Sequence, residues 1–273
     1  MLNIGWFSTG RGPGSQGLLR FVQDRIGSGR LDARIQFVFS NRAPGEAEGS
    51  DQFFRLVHGY GLPLFTMSSA EFRRSRGGAF SRHREEYDAR VLQLLGDCRP
   101  DICVLAGYML IAGSALCRQY PLLNLHPALP NGPIGTWQEV IWQLIQQRAA
   151  HTGAMMHLAT EDVDRGPLVS YCTASITGGE FDRLWRDLDC RDLNEIKATQ
   201  GEEYPLFRQI RQAEYRREPY LVLETLRAVA GGRVAIDGGT VRDALGRPLA
   251  SSAPAGLCLD GEIDRAMGED GEL

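Results

Sequence analysis

Short apolar runs alternate with amphipathic stretches along most of this chain. Leu2–Ser8, Ile35–Phe39, Pro63–Thr66, Ile102–Leu105 and Leu122–Leu125 are runs of strand length bounded by polar or turn residues. Between them apolar residues recur at helical spacing: Leu18, Leu19, Phe21, Val22 and Ile26 in the first gap, then residues 47–58 and Arg84–Leu95. Gly135–Gln147 reads as a helix that turns Val140, Ile141 and Leu144 inward. Ala154–Leu158 and Leu168–Thr173 read as two strands flanking a polar loop. Residues 203–229 are helical in pattern, with a kink expected near Pro219. Arg233–Ile236 and Thr240–Arg242 around Asp237-Gly238-Gly239 read as a small hairpin. Strands that alternate with helices predict an α/β fold with a doubly wound, mostly parallel sheet. The expected organisation is one domain over residues 1–230, then a C-terminal hairpin extension and tail over 231–273. The tail from Ser251 is Gly-rich and acidic and is expected to fray. Arg73-Arg74-Ser75-Arg76, followed by Gly77-Gly78, is expected to be a solvated loop.

Composition narrows the class. With 273 residues, 43% hydrophobic and 23% charged, the chain can bury one large core. A net charge of −4 argues against a general nucleic-acid surface. No apolar stretch approaches the roughly 20 residues that span a bilayer. The start Met1-Leu2-Asn3-Ile4 has no basic leader and reads as a first strand, so a cytoplasmic location is expected. The six cysteines are scattered without metal-ligand spacing, so neither disulfides nor a metal site is expected.

Three segments carry candidate chemistry. Asn124-Leu125-His126-Pro127 follows an apolar run, and in an extended segment residues two apart point to one face. An amide and an imidazole therefore emerge together at a strand end, and Pro127 stops the ladder. Asp164, in the loop Glu161-Asp162-Val163-Asp164-Arg165-Gly166-Pro167, offers a carboxylate to orient the imidazole. Amide, imidazole and carboxylate together suit acyl transfer: a donor for an oxyanion, a proton carrier, and a counter-charge for it. The third segment, Thr9-Gly10-Arg11-Gly12-Pro13-Gly14-Ser15-Gln16-Gly17, joins a strand to a helix, where backbone N–H groups can face an anion. It completes neither the dinucleotide fingerprint nor the Walker pattern.

Val104-Leu105-Ala106-Gly107-Tyr108-Met109, then Asn-Leu-His-Pro, His157 and Asp162-Val163-Asp164-Arg165-Gly166-Pro167 occur in an order that resembles the folate-dependent formyltransferases. The resemblance covers roughly residues 1–230 and implies their Rossmann-like fold. It implies Asn124, His126 and Asp164 as the catalytic set and 10-formyltetrahydrofolate as co-substrate. The pterin would lie against Met109, Leu110 and Ile111 and against Ala159, Glu161 and Asp162. Leu110 stands where the family usually has Arg, and Met109 and Ile111 read equally as core residues. The implied acceptor is a small phosphorylated amine, first glycinamide ribonucleotide of purine biosynthesis. Its phosphate would meet Gly14, Ser15 and Gln16 and also Arg84, which opens Arg84-Glu85-Glu86-Tyr87-Asp88. In the family a Glu ahead of a Tyr-Pro pair contacts the ribose. Glu214, five residues before Pro219, takes that place or else lies on a solvated helix face. The stretch after His126-Pro127 is shorter than usual, and Thr177–Pro205 matches poorly. Two alternatives follow: N-formylation of a nucleotide-linked amino sugar, and a folate-binding homologue without catalysis.

Overall fold

The first strand is apolar on both sides because both sides are covered. In β1 (Leu2–Phe7), Ile4 and Trp6 enter one hydrophobic cluster and Phe7 enters another. Gly5 lies between them at a point of close approach. A Cβ there would stand 2.6 Å from both Cys103 Sγ and Phe37 Cζ. The computed structural model describes residues 1–161, 165–249 and 255–271.

Around β1 lie β2 (Ala33–Ser40), β3 (Leu64–Thr66), β4 (Ile102–Leu105) and β5 (Leu122–His126), all parallel. On the far side of β5, β6 (His151–Leu158) runs antiparallel to both β5 and β7 (Leu168–Ser175), and β10 (Leu257–Cys258) pairs parallel with β7. The order is β10-β7-β6-β5-β4-β1-β2-β3. A separate hairpin joins β8 (Val234–Asp237) to β9 (Thr240–Asp243). This is the expected doubly wound, mostly parallel sheet.

Helices cover both faces. On one face α1 (Pro13–Gly27) brings Leu18, Leu19 and Val22, and α9 (Pro205–Ala230) brings Leu221, Val222 and Leu226. On the other, α4 (Arg84–Leu95) brings Tyr87, Val91 and Leu95, and α5 (Ser114–Gln119) brings Leu116. A third cluster joins α6 (Trp137–Gln146), α7 (Glu180–Asp189) and α8 (Leu193–Thr199) to the first half of α9 through Val140, Ile141, Leu184, Ile196, Phe207 and Ile210. The described residues also form the α-helices α2 (Glu48–Gly59), α3 (Ser69–Arg76) and α10 (Asp260–Gly271). No helix among the described residues is long and apolar enough to cross a membrane.

The expected bounds of α4 hold, and α9 passes Pro219 as one continuous helix. Two expectations need correction, and one unassigned stretch gains its structure. Arg73–Arg76 is not a loop but the end of α3, whose start is capped by Ser68 accepting from Glu71 N at 3.0 Å. The poorly matching stretch after Thr177 folds as α7 and α8. The acidic tail does not fray over its described part. Asp260 accepts from Thr173 N (2.7 Å) and from Arg217 (3.1 Å), Asp264 pairs with Arg217 (2.7 Å), and Asp270 accepts from Tyr220 (2.8 Å) and Arg30 (3.0 Å). The acidity that resembled solvation is matched by basic residues on α1, α9 and the turn after α1.

Gly5→Ala is expected to lower stability by about 1–3 kcal/mol, the usual range for overpacking a filled core. A lower midpoint in urea at unchanged m-value checks it. An unchanged midpoint would mean that Phe37 moves aside freely.

Candidate active site

The end of β5 is where three polar side chains meet. Leu105 of β4 is in register with Asn124, and on the other side Asn124 is paired with His157 and His126 with Met155. Directly paired residues of an antiparallel ladder point to one face. Asn124, His126 and His157 therefore share the face that carries α4 and α5. Asn124 Nδ2 lies 3.1 Å from His157 Nε2, and His157 Nδ1 lies 3.0 Å from the Leu158 carbonyl. The His126 and His157 rings stand edge to face with centroids 6.2 Å apart. Both imidazoles are buried, at 4% and 2% exposure, while Asn124 is half-buried. The expected pairing of amide and imidazole at one strand end is present. Asp162 and Asp164 lie outside the described residues.

Two loops border this point on the parallel side. The first begins at Thr9, whose N–H donates to Gly107 O (3.0 Å) and whose hydroxyl donates to Asn41 Oδ1 (2.7 Å) and accepts from Met109 N (2.9 Å). Gly10, at φ +65°, packs where a Cβ would lie 2.6 Å from the Phe53 ring. α1 then starts at Pro13 with Gly12 as an N-cap that makes no side-chain capping bond. Ser15 Oγ donates to Gly12 O at 3.0 Å. The Gln16 amide donates to Gly49 O at 3.1 Å, which ties it to α2. Gly14 and Ser15 are thus the better placed of the three expected anion contacts.

The second loop, residues 107–113, leaves Met109 71% and Ile111 42% exposed, which removes the core reading for both. Leu110 and Ala159 each pack against the cluster on the α4 face. Ala159 is fixed by its N–H to Leu122 O at 2.8 Å, and exposed Glu161 lies 3.6 Å from Arg118. Gly166 is pressed against β6, where a Cβ would fall 1.7 Å from Leu158 O. A cavity of about 440 Å³ opens between Cys117, Leu122, Ala159 and Glu161, with Ile236 and Gly239 of the hairpin on its wall.

Arg84 opens α4 as expected and is half-buried. The starts of α4 and α1 stand at the same edge of the sheet but on opposite faces.

Glu214 needs correction. It is 1% exposed, so it lies on no solvated face, and Thr152 of β6 donates to it. Its other oxygen stays 3.5 Å from Arg211, which pairs at 2.5 Å with Glu218. Burial pushes the Glu214 carboxyl up to about 8, against the pull of the Thr152 hydroxyl and Arg211. Beside Gly12 and Gly14, a cleft of about 630 Å³ is lined instead by Glu202, Glu203, Trp137, Arg211 and Tyr215. The signal for these two glutamates is in the sequence: they directly precede Tyr204-Pro205, whereas Pro219 is preceded by Glu218.

The family model described as "Formyl transferase" matches residues 14–180, more than half of the chain. A phosphoribosylglycinamide formyltransferase of Saccharomyces cerevisiae is 36% identical over 110 residues, 37% of this chain and 51% of that protein. The match thus spans about half the length of that relative. Glycinamide ribonucleotide transformylase 1 from Symbiobacterium toebii has a similar fold, with a TM-score of 0.60 at 24% identity over 89% of this chain and 94% of that one. So does a formyltetrahydrofolate deformylase from Pseudomonas syringae, with a TM-score of 0.60 at 20% identity over 88% and 65%.

The raised Glu214 carboxyl has a consequence for pH. Folding takes up a proton there between the usual 4.5 and about 8, so this contribution is complete below 4.5 and is lost as pH rises through 8. Glu214→Gln is expected to gain on wild type across that window, at up to about 1.4 kcal/mol per pH unit. Urea midpoints at pH 5 and pH 9 check it. A constant difference between the two proteins would mean that Glu214 titrates normally.

Proposed function

The chain belongs to the formyl transferase family, and we propose that it moves a formyl group from 10-formyltetrahydrofolate to the primary amine of a small phosphorylated acceptor, first glycinamide ribonucleotide. The observation that carries this reading is the convergence of Asn124 and His126 at the end of β5. The acceptor nitrogen attacks the formyl carbon, and the carbonyl oxygen becomes an oxyanion. Asn124 Nδ2 and protonated His126 donate to it, in surroundings where burial strengthens both interactions. A new C–N bond to the acceptor forms and the bond from carbon to N10 of the folate breaks. The proton lost by the amine ends on N10, through His126, Asp164 or a bridging water. Asp164 favours the charged form of His126. The products are a formamide and tetrahydrofolate.

The donor is assigned to the space between residues 109–111 and 159–161, where Met109 and Ile111 are exposed on one bank. The acceptor phosphate is assigned to the N–H groups of Gly14 and Ser15 at the open start of α1, with Arg84 reaching across the sheet edge. Glu202 or Glu203 replaces Glu214 as the ribose contact, because these two line the cleft beside Gly12 and Gly14. The reaction belongs to purine biosynthesis. A nucleotide-linked amino sugar is the second reading. It is favoured by a cavity of about 560 Å³ that the Leu129–Ile134 segment forms with His157, Tyr171 and Thr173.

Asn124→Ala and His126→Ala are each expected to lower kcat by about 10²–10³, the scale of losing an oxyanion donor. Folate affinity should stay within a few-fold, as titrated with a non-transferable folate. Near-full turnover by the His126 variant would overturn the mechanism.

Formyl transfer with 10-formyltetrahydrofolate should give a higher kcat/KM for glycinamide ribonucleotide than for an amino-sugar nucleotide. A tenfold advantage for the sugar (about 1.4 kcal/mol) would promote the second reading. Formate release without any transfer would replace both with hydrolysis.

A further inference from the structure

The Arg84-Glu85-Glu86-Tyr87-Asp88 segment does more than present its arginine. Asp88, 2% exposed, accepts from Gly113 N at 2.5 Å. Glu85 accepts from Ser114 N at 2.9 Å, Ala115 N at 3.3 Å and the Ser114 hydroxyl at 3.2 Å. Tyr87 fixes the register of α4 by donating from its buried ring to Met67 O at 2.5 Å. Three successive N–H groups at the start of α5 are thus held by two carboxylates one turn apart on α4. These are the donors that the first turn of a helix leaves without intrahelical partners. Gly113 is fitted between the two acids. A Cβ there would stand 2.6 Å from Glu85 Oε1 and 2.8 Å from Asp88 Oδ2.

The same loop is held at its other end by Thr9, through Gly107 O and Met109 N. Between the two anchors, Met109 and Ile111 hold apolar side chains in water. Asp88 bears a desolvation penalty, since burial pushes its carboxyl up to about 6. The Ser114 N–H beside Glu85 holds that carboxyl below the usual range. A short loop clamped at both ends by buried or charged groups, yet with its apolar side chains uncovered, is pre-shaped for a ligand.

We propose that Glu85 and Asp88 are positioning residues for the formyl donor, acting by fixing the backbone of residues 109–113 against which the pterin lies. This rests on the donor reading given above. The two acids touch neither substrate. They set the direction of the Met109, Leu110 and Ile111 backbone groups that a flat heterocycle would meet edge-on. Losing them leaves Asn124 and His126 in place on β5, so the damage should appear in donor binding and not in the chemical step.

The test uses the full chain and a non-transferable formyl-dideazafolate. Asp88→Ala is expected to weaken binding of this analogue, and to raise KM for the natural formyl donor, about tenfold in each case. The acceptor KM and kcat at saturating donor should stay within about threefold, smaller than half a unit in log K. Asp88→Asn keeps an acceptor for Gly113 N–H and should restore donor affinity to near wild type. Glu85→Ala, at an exposed position, serves where Asp88→Ala fails to fold, with the same expected split. Unchanged analogue affinity in a folded Asp88→Ala protein would overturn the proposal alone. Equal loss on donor and acceptor would overturn it as well, because that is the mark of general destabilisation. A wild-type protein that does not bind the analogue would overturn the donor reading itself, and this proposal with it.

Discussion

β5 is paired parallel to β4 on one side and antiparallel to β6 on the other, and the candidate site depends on that change of direction. On the parallel side, strand ends release loops at one edge of the sheet, which brings the Thr9 and Gly107 loops beside Asn124. On the antiparallel side, β6 ends alongside Asn124, and its last residues place His157 against that amide. A parallel β6 would have run in the same sense as β5, so its last residues would have ended at the His126 end and not beside Leu123. The seam thus collects groups from both halves of the chain without requiring any of them to be adjacent in sequence. It also leads directly into residues 159–161, which face the cavity beside α5.

The loops around the seam are made rigid by side chains bonded to backbone and to one another, not by secondary structure. Thr9, Asn41, Glu85 and Asp88 each hold a neighbouring segment through hydrogen bonds of 2.5–3.1 Å. Two buried carboxyls in the fold have different tasks. Asp88 satisfies a backbone donor at the site's edge, while Glu214 joins α9 to β6 through Thr152. Both are raised by burial, and their positions, not their residue type, decide whether they bear on the site.

Much of this was legible in the residues alone. The two-residue spacing of Asn124 and His126 fixed their common face, because side-chain direction in a strand has period two. The periodicity of α4 defined its bounds. What escaped was governed by contacts distant in sequence. α5 is short and its start is satisfied by acids on α4, so no local signal announces it. The acidic tail resembles a disordered segment until Arg217, Arg30 and Tyr220 are brought beside it. Glu214 precedes a proline that sits well inside a packed helix and leaves that helix continuous, so its spacing to Pro219 carries no turn with it. The Tyr204-Pro205 pair, with two glutamates before it, marks a helix start, and those glutamates line the cleft beside Gly12 and Gly14. The loop between Ala159 and Gly166 offered a candidate carboxylate in the sequence, and its two aspartates lie outside the described residues.

The proposed mechanism rests on Asn124 acting at the reacting carbonyl in an orientation set by its strand neighbour. A double-mutant cycle on kcat tests this most directly, with Asn124→Ala, His157→Leu and the pair. His157→Leu should lower kcat when Asn124 is present and add little once Asn124 is gone. Losses that multiply in the pair would contradict the mechanism, since His157 would then act independently of the amide it touches.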